Sequence, residues 1–486
     1  MPLAWYTVTG ATQLFKLLPG VRVGVPGILA GTETIYLPKD LETTDFTRFQ
    51  LYANFVKNLV LFKNPAIVTK INRWRELLQY TSNNILLPSL ASICLGTYWP
   101  QSIPYYTWIA VFGSPSVRRI EIQPLVRRNL PTVSSETASA LFNLLIDKCP
   151  KIESFSLFVD PKQPTSPLEA GISTDGTRHQ SSSDTLFGAI KHIQSLSCTS
   201  SMAEHFQNTF SLLGRIPKLE ALQIYASQQD GLYTISLTPL ESGAFSRLRK
   251  LTLYDFGPHT TLSILNRLAP VTELTQVTLE ISFNKDSKDG VSDLDGFYNT
   301  VLIPTIYAQI PHLTHLTIRP MLEDDFYVVV DNASLDILAS LRLQSLTLVR
   351  TRTDVERIAG LFPHIQTLRW PDLSVTLDQL RQFTAYRQLE RLSIKLDLTS
   401  SPSIEPLCNR AIPPAIPCVL ESDYGNFDLL SEAETHNLLV RLVGIWSRPF
   451  TLQQATPPDY PHRDFAAQRR LEKLNKELEE VMRSAF

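Results

Sequence analysis

Three six-residue segments, LQSLTL, IQTLRW and LERLSI, begin at Leu343, Ile365 and Leu389, 22 and then 24 residues apart. Each is an apolar residue, two polar ones, an apolar, a polar and an apolar. The alternating second half puts residues such as Leu346 and Leu348 on one face of a strand. Between the copies lie stretches of helical period. TDVERIAGLF, from Thr353, spaces Val355, Ile358, Ala359 and Phe362 along one stripe, and TLDQLRQFTAY, from Thr376, does the same with Leu377, Leu380 and Phe383.

A single strand of this kind cannot bury its apolar face alone. Stacking the next copy beside it closes a continuous core and pairs the backbone groups in a parallel sheet, and the intervening helix brings the chain back to start the next strand. One strand plus one helix at a period in the twenties predicts an α/β leucine-rich-repeat solenoid. Its parallel sheet is expected on the concave face of a horseshoe and its helices on the convex face.

The same pattern recurs upstream, with strand motifs near Leu90, Val117, Ile152, Ile193, Leu219, Leu248, Leu274 and Leu313. Their spacing ranges from 22 to 41 residues, so loops of unequal size are expected on a common frame. Pro88, Pro217, Pro311 and Pro363 stand just before these motifs, where proline ends a helix without disturbing the ladder.

The chain of 486 residues is 43% hydrophobic and 19% charged, with a formal net charge of −2. There is no basic excess to favour nucleic acid. No run of about eighteen apolar residues predicts a membrane span, and the first charge, Lys16, comes too late for the basic start of a secretory leader. The five cysteines form no CxxC and are odd in number, which fits reduced thiols of the cytoplasm or nucleus. GxSxG, GxxxxGK[ST], HExxH and GxGxxG are all absent, and no cofactor is expected. His312 and His315 would face opposite ways on a strand, so they make a poor metal pair, and Gly290 lacks the glutamate that an EF-hand loop requires six residues on.

Residues 1–63 are expected to form a helical N-terminal segment capping the array. ATQLFKLLPG (11–20) reads as a short helix, DFTRFQLYANFVKNLVLF (45–62) as a helix, and LVLF (59–62) as the first strand. The solenoid then spans 64–422, with loop insertions at 160–184 and 284–296. A capping helix region follows at 423–455, with its helix at 431–446, and a linker and amphipathic terminal helix at 456–486. That last helix spaces Ala467, Leu471, Leu474, Leu478, Val481 and Ala485 as a heptad seam, for which docking on the solenoid is expected ahead of a coiled-coil partner.

The order LFKLLPG, DFTRFQLYANFVKNLVL, LLPSLASICL resembles fungal F-box/leucine-rich-repeat proteins. Their arrays open with a helix of pattern D-[WF]-x-R-F-x-x-Y-A-x-x-V-+-x-L, matched here at Asp45, Phe46, Arg48, Phe49, Tyr52, Ala53, Val56, Lys57 and Leu59. The resemblance implies the substrate-recognition part of a cullin-type ubiquitin ligase. No F-box pattern precedes LFKLLPG, so contact with a Skp-type adaptor is not expected of this sequence.

With the apolar positions of each strand inward, the residues between them face out. One such row reads Gln223, Thr252, Thr278, Thr317, Thr347, Arg369, Ser393, and the next Tyr225, Tyr254, Glu280, Arg319, Val349, Pro371, Lys395. Aromatic and arginine residues on an exposed face are common interface anchors. Tyr225, Tyr254, Thr317, Arg319, Thr347, Arg369, Arg391 and Lys395 are therefore the candidate partner-binding residues, and a protein the expected partner. The alternatives are a divergent repeat protein with no ligase role, or an enzyme or ligand-binding protein whose site no motif reveals.

Overall fold

The structure, a computed structural model, describes residues 5–24, 32–61, 68–95, 106–122, 130, 132–160, 192–201, 213–226, 243–268, 271–283, 293–321, 326–358, 360–397, 418–422, 432–445, 450–454 and 465–485. The chain divides into two compact units, Met1–Leu248 and Arg249–Phe486.

In the first unit seven described strands lie parallel in chain order: β1 (Thr7–Thr9), β2 (Asn58–Val60), β3 (Ser92–Cys94), β4 (Arg119–Glu121), β5 (Ser154–Leu157), β6 (Ser195–Thr199) and β7 (Ala221–Tyr225). Their central residues stack in register as Val8, Leu59, Ile93, Ile120, Phe155, Leu196 and Leu222, none more than 5% exposed. The helices are α1 (Ala11–Phe15), α2 (Thr47–Ala53), α3 (Trp74–Asn83), α4 (Tyr106–Phe112) and α5 (Ser135–Lys148). A separate three-stranded sheet joins Arg22–Gly24, Thr32–Tyr36 and Val68–Ile71.

The second unit repeats the scheme with eight described strands: β8 (Lys250–Phe256), β9 (Gln276–Ser282), β10 (His315–Met321), β11 (Ser345–Leu348), β12 (Thr367–Thr376), β13 (Arg391–Asp397), β14 (Cys418–Ser422) and β15 (Phe450–Gln454). Leu251, Val277, Leu316, Leu346, Leu368, Leu392, Leu420 and Leu452 form one unbroken inward row, none more than 1% exposed. Burying each such side chain contributes about 1.5–3 kcal/mol. The helices are α6 (Pro258–Arg267), α7 (Ile303–Gln309), α8 (Asn332–Ser340), α9 (Val355–Ile358), α10 (Leu377–Leu380), α11 (Glu432–Ile445) and α12 (Phe465–Ala485). Both units are runs of a leucine-rich-repeat solenoid.

Two backbone devices recur from repeat to repeat. At the start of a strand, two successive N–H groups donate to one carbonyl of the strand before. Gln344 and Ser345 donate to Thr314 O, Gln366 and Thr367 to Gln344 O, and Glu390 and Arg391 to Gln366 O; in the first unit Ala91 and Ser92 donate to Lys57 O, and Arg118 and Arg119 to Ala91 O. Just before that step the chain makes a four-residue turn, as in Leu90 N to Leu87 O, Leu219 N to Ile216 O, Leu313 N to Ile310 O and Ile365 N to Phe362 O. Pro88, Pro217, Pro311 and Pro363 each occupy the second position of such a turn, where the fixed φ of proline fits and no N–H is needed. His312 sits in one of these turns, not on the strand expected to carry it beside His315.

Several elements differ from the sequence reading. The first strand is Thr7–Thr9, ahead of the LVLF segment; three residues are too few to show an alternation. The helix α1 ends already at Phe15, and Gly20, at φ 78, supplies the left-handed residue of the turn that follows, where Val21 N donates to Leu18 O. The expected insertion 160–184 lies outside the described residues beyond Asp160, as does 284–292, whereas Leu294–Gly296 is a helical turn capped by Asp293 Oδ1, which accepts from Gly296 N. That turn leads into a π-helical turn at Phe297–Leu302, which buries Tyr298 completely. In the first unit Lys148, in the last turn of α5, donates to Thr81 O and Ala110 O, satisfying carbonyls of α3 and α4; burial holds its pKa below the usual lysine range.

Beyond residue 422 the sheet continues. β15 pairs in parallel with β14, and α12 packs on both α11 and β15. Asn475 of α12 presents its side-chain amide to the open edge of β15 as a further strand would: Oδ1 accepts from Leu452 N at 2.9 Å and Nδ2 donates to Leu452 O at 2.9 Å. Leu478 and Val481 of the apolar stripe are buried, and Leu471 and Leu474 half-buried. Asn475→Ala should leave the inward row intact but strip the edge of this partner, so concentration-dependent light scattering should rise. Unchanged scattering would mean that the edge is protected by other means.

Buried thiols give a second check. Cys198 continues the inward row Leu157–Cys198–Ile224, and burial pushes its pKa up to about 12; Cys149, at the end of α5, is likewise raised to about 11. Cys94 is only half-buried. Of these three, Cys94 should react first with a disulfide reagent at pH 8, with Cys149 and Cys198 titrating only on unfolding. Equal rates for Cys94 and Cys198 would contradict the inward placement.

Candidate functional site

The outward positions of the second unit fall into rows set by the strand register. The central row reads Thr252, Thr278, Thr317, Thr347, Arg369, Ser393, Glu421, Gln453 from β8 to β15. The four threonines are thus direct neighbours across four strands, where β-branched side chains pack well on the pleat. Thr252 is buried; Thr278, Thr317 and Thr347 are half-buried. A second row runs beside it and contains His315, Ser345, Thr367, Arg391 and Val419. Partial burial lowers the pKa of His315, favouring the neutral ring.

A third row brings Tyr254, Glu280 and Arg319 into register. Arg319 Nη1 lies 3.2 Å from Glu280 Oε1, and the two side chains are only 12% and 3% exposed. Arg319, expected as an open anchor, is instead committed to a pair closed into the sheet surface. Tyr254 stands half-buried beside it, just before a bulge at which Asp255 adopts φ 63. Tyr225, in the first unit, is not on an open face: it is 7% exposed, packed edge-on against Phe158 at 5.1 Å.

Arg369 and Arg391 share one carboxylate that the candidate set lacked. Arg369 Nε is 3.4 Å from Glu421 Oε2, and Arg391 Nε is 3.6 Å from Oε1. The Glu421 side chain is 7% exposed, and Ser393 is buried in register between Arg369 and Glu421. Both arginines remain partly open, at 38% and 44%. Lys395 is exposed on β13, but its register partner is Ser374, because Pro371–Leu373 loop out of β12 as a bulge. Asp372 in that bulge accepts from the backbone N–H of Arg350, which holds φ 51. The structure therefore gathers Thr317, Thr347, Arg369, Arg391 and Lys395 on one face, closes off Arg319, and leaves Tyr225 buried elsewhere.

The first unit presents a different surface. Ser92, Arg119, Ser154 and Ser195 follow one another in register, and Ser197 Oγ donates to Gln223 Oε1 at 3.0 Å. LASICL, IESFSL and IQSLSC each carry this serine ahead of the central apolar residue. Among the described residues there is no group of three or more potential metal ligands, and no helix is long and apolar enough to cross a membrane.

No family model matches this chain, and no curated protein matches it. Among solved structures it is similar to the leucine-rich repeat-containing protein LegL7 from Legionella pneumophila, with 12% identity, 80% of this chain and 97% of that chain covered, and a TM-score of 0.30. It is also similar to the APL1 leucine-rich repeat domain, with 14% identity, 74% of this chain and 78% of that chain covered, and a TM-score of 0.27. The fold assignment rests on the register, the inward rows and the repeated backbone steps of this chain itself.

Proposed function

We propose that this chain is a protein-interaction scaffold whose partner lies on the outward face of the second unit's sheet. The observation that carries this reading is the in-register row from Thr252 to Gln453. Along it the partly open Thr278, Thr317 and Thr347 lead to the partly open Arg369, with Arg391 in the neighbouring row and the backbone beneath pinned by the ladder. Side chains on a rigid sheet lose little entropy when a partner covers them.

The finer reading is the substrate-recognition part of a cullin-type ubiquitin ligase, supported by the resemblance of the Asp45–Leu59 segment to fungal F-box/leucine-rich-repeat proteins. Most of the matched positions have structural work there. Asp45 Oδ1 accepts from Thr47 N at the start of α2, and Phe46, Phe49, Ala53, Val56 and Leu59 are buried. The motif thus supports a shared opening of the array, and the ligase role follows by analogy. In such a ligase the outward sheet face would hold the substrate.

A photo-crosslinking residue at Thr347, compared with one at the exposed Glu356 of α9, tests the face. Partner adducts are expected from position 347 and not from 356; adducts from 356 alone would overturn the assignment. The ligase role is tested on the captured partner. Its half-life in cells should lengthen with Thr347→Arg, and an unchanged half-life removes the ligase reading while leaving the scaffold.

A further inference from the structure

We infer that Arg369, Arg391 and Lys395 seat an acidic, extended segment of the partner, with carboxylates at alternate positions along its chain. This deepens the reading of the sheet face as a partner surface and rests on it. Each of the two arginines approaches Glu421 through Nε, the guanidinium nitrogen nearest the backbone, so the terminal amino groups lie farther out on side chains 38% and 44% exposed. The distances of 3.4 and 3.6 Å are longer than a charge-assisted N–H···O bond, which falls near 2.7–2.9 Å, and Glu421 Oε2 receives no hydrogen bond. The buried carboxylate therefore aligns two guanidiniums without using up their donors. Among the described residues neither arginine makes another ion pair.

The charges leave a surplus. Two arginines against one glutamate carry +1, and the exposed Lys395 adds another. The register neighbours Thr347, Thr367 and Gln453 are uncharged. The nearest acids along β13 are Glu390 at its start and Asp397 at its end, which bracket the cationic stretch.

The spacing favours an extended peptide. Arg391 and Lys395 are exposed on the same strand, four residues apart, or roughly 13 Å at 3.3 Å per residue, with Arg369 on the adjacent strand. A chain in β conformation with glutamates at every second position offers one carboxylate to each cation. The planar carboxylate also matches the guanidinium fork.

The test is fluorescence anisotropy on the full chain with a labelled Glu-Thr-Glu-Thr-Glu peptide, its Gln-for-Glu counterpart and a phosphothreonine peptide. The glutamate peptide should bind at least tenfold more tightly than the glutamine one, and weaken on raising salt from 50 to 300 mM. Arg369→Gln with Arg391→Gln should cost at least tenfold and Lys395→Gln about threefold; Lys395 is exposed, so the latter carries little risk to folding, and thermal melting of all variants verifies it. Equal binding of the glutamate and glutamine peptides, or no loss in the correctly folded variants, overturns the inference. A tenfold preference for phosphothreonine overturns it in favour of a phosphate site. Crosslinking from position 347 decides the face independently of these results.

Discussion

Leu346→Asp should abolish cooperative folding of the second unit, whereas Thr347→Asp, one residue along the same strand, should leave its melting nearly unchanged. Leu346 is 0% exposed, in the middle of the row from Leu251 to Leu452, with Leu316 and Leu368 in register on either side. A carboxylate there is stripped of water and given no cation, at a cost of several kcal/mol. Folded proteins hold only about 5–15 kcal/mol in all. In a strand the next side chain points the other way, so the same change at Thr347 meets solvent and costs on the order of 0.5–1 kcal/mol. Urea unfolding followed by circular dichroism compares the two. Similar losses from both would show that the period-two assignment is wrong, since no other frame separates neighbours so sharply.

In the first unit the largest effect is expected from Trp108→Ala, at about 3–5 kcal/mol. Trp108 of α4 is 2% exposed. Its ring stacks on Phe112 at 6.1 Å, meets Trp74 of α3 edge-on at 5.3 Å and lies 6.3 Å from Phe15 of α1. Truncation would open a cavity among three helices that cannot all move in to close it. Trp108→Phe keeps most of the apolar volume and should recover more than half of the loss. If the alanine variant unfolds within about 1 kcal/mol of the parent, the aromatic cluster is not what joins these helices.

What was legible beforehand follows from where period and chemistry coincide. LQSLTL, IQTLRW and LERLSI display the inward and outward positions directly, so the threonine row and the place of Arg369 are legible in the sequence alone. Glu421 could not: CVLES follows a degenerate stretch, and only the strand register sets its glutamate beside Ser393 and near two arginines. The closure of Arg319 by Glu280 depends on contact between residues 39 positions apart, which an outward-facing position alone does not reveal. Tyr225 shares its pattern with Tyr254, yet Phe158, just beyond another strand, covers it. The amphipathic stripe of α12 is the same stripe a coiled coil would use; the packing on α11 and β15 is what distinguishes the two.

The paired N–H donation that recurs at strand starts makes the chain divisible. Removing Gln344 through Ile365, 22 residues, would bring Gln366 and Thr367 to Thr314 O, the acceptor that Gln344 and Ser345 now use, and Leu368 against Leu316. The new junction would keep the backbone step and the inward leucine of the old one. A gene encoding such an array can therefore gain or lose whole cassettes by unequal crossover without inventing an interface.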